Sequence, residues 1–160
     1  MSLLAILAAL ATTSGHSTTY DCQAEKQLVL MSDKGEWNYS ASDVDKDSRD
    51  TFRWTFVATR AANGAITVSH DPGILDAVGV GGDYPAMSLA PGQFAFSTNK
   101  SENCLFTELG CGALVEISDI DKRKASFSLT PMGSVIMEDE RREILQLIML
   151  GTCKKSESKQ

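Results

Sequence analysis

Positive charge is nowhere concentrated in this sequence. Of its 160 residues, 15 are Lys or Arg against 21 Asp or Glu, a formal net charge of −6. The densest basic run, Lys122-Arg123-Lys124, directly follows Asp119 and Asp121 and reads as a charged turn. A nucleic-acid partner is therefore not expected, because such binders gather Lys and Arg on one face. Long apolar runs are also missing. The N-terminal run Leu3 to Ala11 is far shorter than the about 20 apolar residues a spanning helix needs, and no later segment is long and apolar enough to be an integral span. Histidine is scarce, with only His16 and His70, and no G-x-S-x-G elbow marks a nucleophilic serine. Ser69-His70-Asp71 holds three triad residue types in a row, but neighbours on an extended chain point to opposite faces and cannot relay a proton among themselves. His70 reads as a strand-end surface histidine.

What is present points first to export. Leu3 to Ala11 followed by Thr12, Thr13, Ser14 and Gly15 fits a signal-peptide core and cleavage region, although no Lys or Arg precedes it. The expectation is a leader over residues 1–15 and one disulfide-linked domain over 16–160, secreted or periplasmic. The four cysteines agree, since an even count in an exported chain suggests two disulfides. Of the three pairings possible, Cys22–Cys153 with Cys104–Cys111 is favoured. The first would tie the two ends of the mature chain and the second would close a short loop. Cys104-x6-Cys111 lacks the ligand spacing of a zinc site, and Cys111, flanked by glycines, would be held in a disulfide rather than serve as a thiolate.

Past the leader, apolar residues alternate with period two. Phe52-Arg-Trp54-Thr-Phe56-Val-Ala58 is the clearest case, and Ile66 to Ser69, Phe94 to Ser97, Ala113 to Ile117 and Ala125 to Leu129 repeat it. Turn signals separate these runs, including Asn63-Gly64, Pro91-Gly92 and Asp119 to Lys122. Hairpins are expected to join about 52–60 to 65–70 and about 112–118 to 125–130, with a further strand near 94–98 meeting one near 103–108. The fold class is all-β, an antiparallel barrel or sandwich of about eight strands. Residues 139–150 carry helix formers and an acidic start, yet Ile144 to Leu150 is apolar on nearly every side. A closing strand that brings Cys153 beside the first strand is favoured over one C-terminal helix. Asp71 to Gly92 reads as one long irregular stretch, and Lys154 to Gln160 as a frayed polar tail.

Candidate sites are few. Gly79-Val-Gly-Gly82 is followed by Asp83-Tyr84-Pro85, not by the Lys-Ser/Thr of a phosphate loop, so a mobile loop is the better reading, one that could serve as a lid over a barrel mouth. Ile74, Tyr84 and Met87 could then meet an apolar ligand, with Trp37 and Tyr39 as a further contact surface. Asp43, Asp45, Asp47 and Asp50 offer the first oxygens of a calcium loop. Ser48 stands where such a loop needs glycine and Trp54 where it needs glutamate, so these aspartates read mainly as a solvated charged turn and a weak calcium candidate. No cofactor motif is seen. The expected function is non-enzymatic binding of a small apolar ligand or an exported protein. A carboxylate-dependent hydrolase is the alternative, and an inhibitor of an exported hydrolase, acting through a loop such as 104–111, is the third reading.

Overall fold

The computed structural model describes residues 16–33, 36–70, 82–98, 112–132 and 145–159. The strands are β1 (His16–Asp33), β2 (Glu36–Asp43), β3 (Arg53–Arg60), β4 (Ile66–His70), β5 (Gly82–Ala90), β6 (Gln93–Ser97), β7 (Gly112–Asp119), β8 (Lys124–Met132) and β9 (Leu145–Lys159), with a 3-10 helix at Lys46–Phe52. All neighbours are antiparallel, and β9 returns to pair with β1. Eight strands, β1 and β3 to β9, thus close a barrel rather than a sandwich, and β2 is an extra strand beside β1.

The alternating runs seen in the sequence supply the inward face. Trp54 and Phe56 on β3, Val68 on β4, Val115 and Ile117 on β7, and Phe127 and Leu129 on β8 are all at most 3% exposed. Their aromatic rings meet edge to face across the barrel: Trp54 with Phe127 at 6.1 Å, Phe56 with Phe96 at 5.4 Å, and Tyr20 with Phe94 at 5.6 Å. The middle of this barrel is a packed core, as expected for a small eight-stranded barrel.

Turn chemistry fixes the hairpins at one end. Gly64 adopts φ +86°, and Asn63 Oδ1 accepts the Ala65 amide, closing β3 onto β4. Asp121 Oδ1 accepts the amides of Arg123 and Lys124, which makes the basic run a turn as expected. Those bonds also hold the Asp121 carboxyl below its usual range.

Closure depends on the two outermost strands. Cys22 stands directly opposite Cys153 and is joined to it by the expected disulfide across 131 positions. Two residues further along β1 the ladder shifts register between Ala24 and Lys26, leaving Glu25 as a bulge. One extra residue reverses which side chains face inward. Below it the even-numbered Tyr20, Cys22 and Ala24 are buried; beyond it Gln27 lies opposite the buried Met149, and Leu28 and Leu30 turn to the outer face. The bulged residue is anchored twice: its carbonyl accepts the Val44 amide and its Oε1 accepts the Thr152 hydroxyl.

Two expectations need correction here. Residues 82–90 are strand β5, not part of an irregular stretch; Gly82, Pro85 and the lack of alternation had hidden it. The polar tail is strand to Lys159, paired with β1 from His16 to Asp21, and polar because it lines a polar end of the barrel. The favoured closing strand is borne out: residues 145–150 are strand, and their pairing with β1 and β8 overrides helix propensity. Residues 139–144, the strand near 103–108, the Cys104–Cys111 pair and the leader over 1–15 lie outside the described residues.

Candidate functional site

Beyond the bulge, β1 and β9 run past the barrel body, and β2 joins them as a three-stranded flap. Residues directly opposite in an antiparallel pair share a face. Leu30 lies opposite Tyr39, Leu28 opposite both Ala41 and Ile148, and Lys26 opposite Leu150. Trp37, opposite Ser32, completes that outer face. All eight residues of β2 are exposed, with Trp37 at 60% and Tyr39 at 79%, while Leu150 is 41% exposed. Large aromatic and aliphatic side chains are thus gathered on one outer surface, because the bulge at Glu25 sends Leu28 and Leu30 outward.

The aspartates of the loop stand at the end of this flap. Asp43 pairs with Lys26 at 2.9 Å, and Asp45 caps the 3-10 helix by accepting the Asp47 amide. Asp47 and Asp50 are exposed. Among the described residues no three acids, histidines or cysteines come together as a group able to hold a metal ion.

A second feature occupies the other end of the barrel, where its polar closing strands meet. A cavity of about 220 Å³ opens there. Tyr20, Ala58, Ile66 and Phe94 form its walls, and His16, Arg60 and Glu157 stand around it. Lys155 donates to Asp119 Oδ2 at 2.6 Å with only 9% of its side chain exposed, and the Tyr20 hydroxyl donates to Asp119 Oδ1 at 3.3 Å. Burial first, then the Asp119 charge, pushes the Tyr20 hydroxyl well above its ordinary range, so it stays a neutral donor. Gly92 fits this corner because its φ is +74° and a Cβ there would lie 3.1 Å from that of Asp119. The Asp119 amide in turn donates to the Gly92 carbonyl at 2.8 Å. Both oxygens of Asp119 are thus held by groups of the barrel itself.

Of the five expected ligand contacts, the structure brings together only Trp37 and Tyr39. Tyr84 is buried at 6% exposure and stacks on His70 at 5.5 Å. Met87 is 66% exposed on β5, separated from β2 by β1, β3 and β4 in the sheet order. Ile74 lies outside the described residues. His70 is not a surface histidine: it closes β4 facing inward at 7% exposure, between Phe56 and Tyr84. Sequence reasoning missed the end cavity, whose residues come from distant strand ends. The alternation Lys155-x-Glu157 in the tail was its one local signal. No protein-family model matches this chain, and no curated protein is detectably similar to it.

Proposed function

We propose that this protein is a non-enzymatic binding module of an exported compartment that recognises a protein partner through the outer face of the β2–β1–β9 flap. The observation that carries this reading is the exposure of Trp37 and Tyr39 beside Leu28, Leu30, Ile148 and Leu150. Tryptophan and tyrosine dominate binding energy at protein interfaces because they bury large apolar area with little entropy loss. The packed barrel interior gives a small apolar ligand less support, and the Cys22–Cys153 disulfide supports an oxidising compartment. Asp45, Asp47 and Asp50 at the end of the flap favour a partner whose apolar patch is flanked by basic groups, with an association rate that falls as salt rises.

Three strands of about six residues span about 14 Å by 20 Å. That is a few hundred Å² of face, below the about 800 Å² per partner of a standard stable interface. The flap alone therefore suits a transient complex. The test places a photo-activated cross-linking residue at Tyr39 and, separately, at Thr67, an exposed site on β4. The expected result in the exported fraction is one discrete heavier product from position 39, none from 67, and its loss on Leu30→Asp. Equal products at both positions, or none at 39, would refute the reading.

A further inference from the structure

The end cavity is not part of the flap, and its chemistry is different. Four charged side chains line it: Lys155, Arg60, Asp119 and Glu157. Two cations against two anions leave the lining neutral, apart from whatever charge His16 carries. Within that set, Lys155 and Asp119 satisfy each other. Among the described residues neither Arg60 nor Glu157 makes an ion pair. Both are close enough for their charges to act on the Tyr20 hydroxyl, Arg60 favouring and Glu157 opposing its ionisation.

We infer that this cavity is a binding site for a small zwitterion, whose carboxylate is held by Arg60 and whose ammonium group is held by Glu157. A guanidinium is suited to a carboxylate because its planar donors match two oxygens at once. The Glu157 carboxylate in the same lining supplies acceptors for an ammonium group. A dipolar ligand can place opposite charge against each of these two groups, whereas a simple anion or cation would answer one and leave the other with like charge. Size narrows the class further. At about 30 Å³ per water, 220 Å³ holds about seven waters, which is room for a molecule of amino-acid size and less than drug-like ligands occupy. Ile66 and Phe94, both buried, supply an apolar wall for the short carbon chain between the charges.

The experiment is an NMR titration of the full chain with β-alanine, acetate and methylammonium in turn. The expected result is saturable shifts with β-alanine at the amides of Ile66 and Phe94, with a Kd of about 1 mM or tighter. Acetate and methylammonium should each bind at least about tenfold more weakly, because each makes only one of the two charged contacts. Arg60→Ala and Glu157→Gln should each weaken β-alanine by about tenfold or more. Both residues are exposed, so these variants should keep the fold. Glu116→Gln, on the outer wall, should change nothing. Acetate binding as tightly as β-alanine would make the cavity an anion site and overturn the inference. No saturable shift, no effect of Arg60→Ala, or an equal effect of Glu116→Gln would also overturn it.

Discussion

Replacing Cys22 and Cys153 together by alanine is expected to destabilise the protein by about 4–5 kcal/mol. The cross-link spans 131 positions and joins the strands that close the barrel, so it restricts the unfolded chain over nearly all of the described structure. The chain-entropy model gives this magnitude from loop length alone, and a domain of this size has only about 5–15 kcal/mol in total. A melting temperature lower by about 10–15 °C is the corresponding thermal readout. The double variant is preferable to reduction because it leaves every other cysteine untouched. Paired guanidinium and thermal unfolding followed by circular dichroism measures the change. A loss below about 1 kcal/mol would mean that β1 and β9 stay associated when unfolded, or that they contribute less to closure than their pairing indicates.

Gly151→Ala should cost about 3 kcal/mol, far more than one methyl group normally does. Gly151 lies opposite Ala24, at the edge of the Glu25 bulge. A Cβ there would collide with the Gln23 carbonyl oxygen, lie 2.7 Å from the Phe127 ring and stand 2.9 Å from the Ala24 Cα. Two of these three obstacles are backbone, and moving them means opening the β1–β9 ladder. Gly64→Ala is the contrasting variant. It meets nothing within 4 Å and is strained only by its φ of +86°, a penalty of about 1 kcal/mol. Chemical unfolding of the two variants should rank them in that order, and equal losses would show that the two strands can separate at Gly151 without cost.

Barrel segments with one apolar face were legible in the sequence. β3, β4, β7 and β8 stand within three residues of the alternating runs, and Asn63-Gly64 marked its hairpin. What escaped were places where two environments overlap on one strand. β9 is apolar on both sides near Ile148 to Leu150 because one side enters the core and the other joins the flap, which resembles a buried helix. Its far end is polar on both sides because it borders the cavity, which resembles a tail. β5 carries Pro85 opposite Thr67 and has few inward apolar residues, so period-two reasoning had nothing to hold. Trp37 and Tyr39 were visible as candidate contacts. Their companions Leu28 and Leu30 were not, since a bulge at Glu25 leaves no composition signal. The cavity was hidden for a similar reason: His16, Arg60, Asp119 and Glu157 are neighbours only once the sheet is closed.

The middle of the barrel is filled, leaving no apolar ligand pocket there, and the proposed protein partner docks on the outer face of the flap. The two tryptophans report on these two places, Trp54 at 2% exposure and Trp37 at 60%. Acrylamide quenching of the wild-type chain and of Trp37→Phe, with and without added oleate, is the most direct test. The prediction is a blue-shifted Trp54 emission in Trp37→Phe that resists acrylamide and does not respond to oleate, with the quenchable emission of the wild type lost. A Trp54 signal that is readily quenched, or that shifts when oleate is added, would show an open apolar pocket in the barrel and contradict a filled interior.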